Sequence, residues 1–210
     1  MARKLRNIFL VQHELMLFIL IQIIWGVAMV GPDTTLEIQT LGRFKILADG
    51  KPVATDWPNE ALKTCFCSLL SPMDISFTWD RICRSLLDVP VTRGNRRKLD
   101  EKIILPLNSF LLSELGFNPL INEKESIRIN LQGIQIDAHE FYSSALEGMR
   151  LMSNSNDVAA LNKFNRANSL YAGAFLLGMP GKIIENARHD LDMLYRAAVK
   201  PPLLLVAKLG

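Results

Sequence analysis

The sequence predicts an α+β winged helix-turn-helix followed by an all-α, tetratricopeptide-like helical domain. Three observations carry that fold class. A period-two apolar pattern opens the chain after Gly31-Pro32. Three helical stretches then run to two short strands around Gln132-Gly133, and from Asp137 onward the apolar spacing is helical throughout. These shifts divide the chain into an apolar extension over 1–33, a winged-helix domain over 34–136 and a partial helical-repeat domain over 137–210.

Each element has a local reason. Leu36, Ile38 and Thr40, then Phe44 and Ile46, alternate, and Asp49-Gly50 marks the turn of a small antiparallel sheet. Leu62, Phe66, Leu69 and Leu70 share one helical face, with Pro58 expected in the first turn. Thr78 is the expected N-cap of a second helix, "WDRICRSLL". A third helix is predicted over 94–116. Ile127, Ile129 and Leu131 alternate, as do Ile134 and Ile136, which predicts a hairpin turning at Gln132-Gly133. Three helices closed by a hairpin make a winged helix, whose third helix lies in the major groove of DNA. "DAHE" has capping-box form, and helices are expected over 138–152, 157–172 and 181–198. Their length and short links are those of an α-solenoid, without a clean 34-residue period.

The net charge of +3 is slight, so nucleic-acid binding must come from a local cluster. "RGNRRKLDEK" supplies it: Arg93, Arg96, Arg97, Lys98 and Lys102 crowd the start of the third helix, offset by Asp100 and Glu101. Cations there oppose the helix macrodipole, and an external polyanion relieves the penalty. At 100° per residue, Leu99, Ile103, Leu107 and Phe110 face inward. Lys98, Glu101, Lys102, Leu105, Asn108, Ser109 and Leu112 face out. Asn108 and Ser109 suit phosphate or base-edge contacts, and Arg128 is a candidate wing contact. Leu105 and Leu112 suit a protein seam instead. Pro106 removes a backbone donor inside this helix, which predicts a kink or a local rearrangement.

Residues 15–30 are apolar but fall short of the ~20 needed to span a bilayer. Extension backwards meets Gln12, His13 and Glu14. The expectation is a non-spanning extension and a cytoplasmic protein, the alternative a membrane anchor at 8–30. Cys65, Cys67 and Cys83 form no disulfide framework or metal pattern, and Cys65 and Cys67 read as packing residues. His13, His139 and His189 stand in no ligand spacing, and no phosphate-cradling loop, GxSxG or HExxH occurs. No enzyme activity, metal or cofactor is expected. Arg188 and Asp190 read as surface helix pairs, and Tyr171 and Tyr195 as interhelical packing.

Two stretches together resemble one family. "LEIQTLGRFKILADGKPV" is similar to the opening of bacterial transcriptional activators of the antibiotic regulatory protein family. "LYAGAFLLGMPGKIIENARHDLDMLY" resembles their adjoining activator domain, with Leu170, Tyr171, Gly173, Phe175, Leu176, Arg188, Leu191 and Tyr195 in the patterned places. "IDAHEF" occupies the junction. The resemblance spans roughly 35–198 and implies a DNA-binding winged helix joined to a helical domain for protein contacts. It also implies DNA as partner, with RNA polymerase or another regulator on the helical domain. Set against that pattern, the chain is expected to be a truncated and divergent copy. The apolar extension has no counterpart in the pattern, and the family usually continues for several more helices. Ile183 or Ile184 replaces a frequent Trp, and "SFLLSELG" replaces an arginine-rich helix end. The rival expectation is therefore a degenerate protein-interaction module that does not bind DNA, membrane-tethered through 8–30. A misjoined reading frame is a third.

Overall fold

The computed structural model describes residues 35–53, 56–200 and 202. The expected anchor or extension over 1–33 lies outside them. Among the described residues no helix is long and apolar enough to cross a membrane.

Strands β1 (Leu36–Gln39), β2 (Lys45–Ala48) and β3 (Lys51–Pro52) form the antiparallel sheet that the alternation predicts. Helix α1 (Glu60–Leu69) follows, capped by Asn59, whose side chain accepts from Leu62 N at 3.0 Å. Pro58 thus precedes the cap instead of entering the first turn. Short β4 (Phe77–Thr78) leads into α2 (Trp79–Leu87), and the Thr78 hydroxyl caps it as expected, accepting from Arg81 N. Leu62, Cys65, Phe66, Cys67 and Leu70 are fully buried, so both cysteines are packing residues. Burial pushes the Cys65 thiol up to about 12, which leaves it inert as a nucleophile.

The third helical stretch is one continuous run in three parts. Helix α3 (Arg93–Leu99) passes through a π-helical turn (Asp100–Ile104) into α4 (Leu105–Leu115). The π turn is the rearrangement that Pro106 calls for. Leu105 N reaches back five residues to Asp100 O, and the proline, without an N–H, falls at the start of a fresh helix. Gly116, in the left-handed region at φ +75°, ends the run.

The wing differs from the sequence expectation. Strand β6 (Ser126–Ile129) pairs antiparallel with β5 (Leu120–Asn122) and with β4, giving a three-stranded wing in the order β4-β6-β5. Strand β7 (Ile134–Ile136) does not pair with β6. It joins the first sheet beside β1, in parallel. The ribbon therefore turns at 123–125, one strand earlier than predicted, and Gly133 turns the chain out of the wing.

Helices α5 (Asp137–Ser153), α6 (Asp157–Leu170) and α7 (Lys182–Leu194), the last prolonged by a π-helical turn (Tyr195–Val199), form the all-α part. Helices α5 and α6 pack tightly enough that Gly148 lies against the Phe164 ring, where a Cβ would come within 2.6 Å. Asp137 does not act as a capping box. Its Oδ1 accepts from Thr40 N at 2.8 Å and Thr40 Oγ1 at 2.6 Å, and its Oδ2 accepts from Leu41 N at 3.0 Å. Glu140, the other half of the expected box, pairs with Arg166 instead.

The stretches that carry the family resemblance meet one another in space. Gly42 N donates to Ala174 O and Leu176 N to Thr40 O, and Leu41 forms an isolated bridge with Phe175. Gly42 and Gly173 approach so closely that a Cβ on Gly173 would lie 2.9 Å from the Gly42 Cα. Arg188 is not a surface pair. Its guanidinium donates to the carbonyls of Phe175, Leu176 and Met179 at 2.7–2.8 Å and holds buried Leu176 at φ +43°. Tyr171 stacks on Tyr195 at 4.0 Å, and burial, followed by Asp192, pushes its phenol up to about 12. These residues weld the first sheet to the helical part.

His139 sits at the same seam, its Nε2 against Leu70 O at 3.2 Å. Burial depresses its pKa more than the Leu70 carbonyl and Asp137 raise it. A depressed histidine binds fewer protons folded than unfolded, so its contribution is complete above about 6.5 and shrinks as pH falls below it. Denaturant midpoints measured against pH should therefore decline below that value in the wild type, with a shallower decline in His139→Gln.

Candidate nucleic-acid interface

The outer face of the third helical run carries two chemistries in sequence. Thr92 caps α3 by accepting from Asn95 N at 3.2 Å, and the preceding loop is tied to α2 by Val91 N donating to Asp80 Oδ1 at 2.9 Å. Hydrogen bonds from Arg84, then from Val91, hold the Asp80 carboxyl below its usual range. The basic turn is thus presented on an anchored loop. Arg93, Arg97, Lys98 and Lys102 are exposed there. Arg97 makes an open 3.5 Å approach to Glu101, with both side chains mostly in solvent, an arrangement that contributes little. Among the described residues, Arg93, Lys98 and Lys102 form no ion pair. One turn on, the face becomes apolar: Leu105 is 58% exposed and Leu112 55%, with exposed Ser109 between them.

The other sequence candidates sit differently. Arg96 is half-buried, paired with Asp100, and lies over the Trp79 ring at 3.4 Å. Desolvation is the main cause holding its pKa below the usual arginine value. Asn108 is half-buried, and its Oδ1 is enclosed without a hydrogen-bond partner among the described residues. The π turn shifts the helix by one residue relative to the straight projection, which moves Asn108 off the outer face and buries Ile104 and Leu111. Arg128 lies on β6 and donates to Glu123 Oε1 at 2.8 Å. That bond is the first cause lowering the Glu123 pKa, with Ser126 the second.

The structure brings forward one cation that sequence reasoning missed. Lys124 occupies the exposed wing tip between Glu123 and Glu125. Only the position of the turn identifies it, and the predicted hairpin had placed the tip eight residues later.

At the far end of the helical part, Met149, Met152, Val158, Leu161, Phe164, Ala197 and Ala198 line an apolar groove of about 800 Å³. Among the described residues no group of three or more His, Cys, Asp or Glu is placed to hold a metal ion.

No family model matches the chain. No curated protein matches it. Among solved structures, it is similar to Mycobacterium tuberculosis EmbR, determined in complex with a low-affinity phosphopeptide, at a TM-score of 0.55 and 15% identity. The match covers 78% of this chain and 42% of that one, so the chain spans less than half the length of EmbR. What the two share is the fold: a winged-helix-like unit of strands and helices followed by helices packed as in tetratricopeptide repeats.

Proposed function

We propose that this protein is a transcriptional regulator of the antibiotic regulatory protein type, which binds DNA through its winged helix and contacts a protein partner through its helical part. The observation that carries the reading is the solvent-facing row Arg93, Arg97, Lys98 and Lys102 at the start of the third helix, on a capped turn beside a β-ribbon. Such a row neutralises phosphates, and the third helix of a winged helix lies in the major groove. The shared fold with EmbR and the stretches around Leu41-Gly42 and Leu170–Leu176, which resemble the family's pattern, support the same class. Such a regulator works in the compartment that holds the chromosome, the cytoplasm of a bacterium. The contacts proposed are Arg93, Arg97, Lys98 and Lys102, then Ser109, with Lys124 at the wing. Full-length protein titrated with duplex DNA at several salt concentrations tests this: Arg97→Ala should lower the salt slope by about one unit. An unchanged slope removes Arg97 from the contacts.

A second reading has its own observation. Exposed Leu105 and Leu112, with Glu123 and Glu125 at the wing tip, are the wrong chemistry for phosphate and suit a protein helix. Under it the winged helix is a protein-interaction module that does not bind DNA. A DNA affinity that is weak and insensitive to salt would favour it over the first.

A further inference from the structure

One side chain, Trp79, touches both the wing turn and the start of the third helix. Trp79, 5% exposed, opens α2. Its indole Nε1–H points at the wing turn and is shared between Glu123 O and Lys124 O, both at 3.2 Å. Its backbone N–H donates to Glu125 O at 3.2 Å, so all three residues of the turn are held by Trp79. The opposite partner comes from α3. The Arg96 guanidinium covers the ring at 3.4 Å from its centroid and pairs with Asp100 one helical turn on. A cation placed face-on to a tryptophan in a partly desolvated site is the stronger form of this contact.

We propose that Trp79 and Arg96 form a bracket that sets the wing tip against the third helix, so that Arg96 is a positioning residue and not a phosphate ligand. The inference rests on the nucleic-acid reading for its functional consequence: the tip of the wing and the basic start of the third helix, which must meet one duplex together, both bear on the same indole. The neighbouring charges suit the role. Asp100 neutralises Arg96 from its own helix, while Arg128 and Ser126 draw Glu123 back along the ribbon, which leaves Lys124 as the cation at the tip.

The test compares Arg96→Met, Trp79→Phe and Arg97→Ala in the full chain. Two quantities are read: the salt dependence of binding to a random-sequence duplex, and amide hydrogen exchange over 120–129. Arg96→Met should weaken binding roughly fivefold with the wild-type salt slope, whereas Arg97→Ala lowers the slope by about one unit. Both Arg96→Met and Trp79→Phe should accelerate exchange in the wing. Should Trp79→Phe unfold the domain, Arg96→Lys, which keeps the charge and loses the planar stack, should accelerate wing exchange in its place. A slope reduced in Arg96→Met as in Arg97→Ala overturns the assignment, and so does wing exchange unaltered in the folded variants. Wild-type protein that fails to bind DNA would sink the nucleic-acid reading alone, and the bracket would still be decided by wing exchange.

Discussion

Asp137→Ala is expected to destabilise the protein by about 3–5 kcal/mol. The carboxylate accepts from Thr40 N, Thr40 Oγ1 and Leu41 N, and Thr40 and Leu41 are 0% and 2% exposed. Alanine removes the acceptor of three buried amides, those of Thr40, Leu41 and Ala138, and of the Thr40 hydroxyl, each at about 1–3 kcal/mol before the surroundings relax. Thermal unfolding should register a loss on the order of 10 °C for a chain of this size. Asp137→Asn is the informative control. Its carbonyl oxygen can still serve Thr40, while its NH2 faces the Leu41 N–H, so it should fall between wild type and Ala. The damage should also spread, because Thr40 O and Gly42 N carry the bonds to Leu176 and Ala174. A loss under about 1 kcal/mol for Asp137→Ala would mean that water replaces the carboxylate and that the seam is not what Asp137 stabilises.

The second large effect concerns binding. Replacing Arg93, Arg97, Lys98 and Lys102 together by Ala should reduce the salt slope by roughly three to four units. Near-physiological salt (about 0.15 M) should then show roughly a thousandfold weaker DNA binding, since counterion release scales with the number of phosphates neutralised. Folding should survive. The four side chains are exposed, and the ion pair that Arg97 makes with Glu101 is open and mostly in solvent, so their removal takes little from the helix. Circular dichroism and a chemical denaturation curve would confirm that the lost affinity is not lost structure. Binding that persists within about tenfold of wild type would place the contact surface elsewhere.

The helical elements were legible in the sequence because their signals are local. Thr78 as a cap, the apolar face of α1, and the breaks at Ser153–Asn156 and Gly178–Gly181 depend on residues within a few positions of each other. The wing was misplaced for the converse reason. Ile127, Ile129, Ile134 and Ile136 alternate on both sides of Gly133, which is what a hairpin would show. Strand β7 instead pairs in parallel with β1, nearly a hundred residues earlier, and nothing near Gly133 encodes that partner. Arg188 was misread similarly. Its position on α7 is visible, but its acceptors lie on an irregular loop whose course is set by Gly42 meeting Gly173. Pro106 announced a disturbance without its type, and the one-residue shift of the π turn is what separates Asn108 from the outer face.

For the candidate interface, the basic cluster was readable as composition, but which cations are free was not. Arg96 and Arg97 are adjacent in sequence and equally basic. Their roles part only when the helix places Arg96 over Trp79 and leaves Arg97 in water. Lys124 gave no signal at all until the turn was located.

Amide hydrogen exchange of the full chain, with and without a saturating DNA duplex, tests the central claim most directly. Protection gathered at 93–109 and 123–126, with α5 and α6 exchanging as before, is the predicted result. Protection confined to the helical groove around Met149 and Val158, or none anywhere on the third helix, would contradict it.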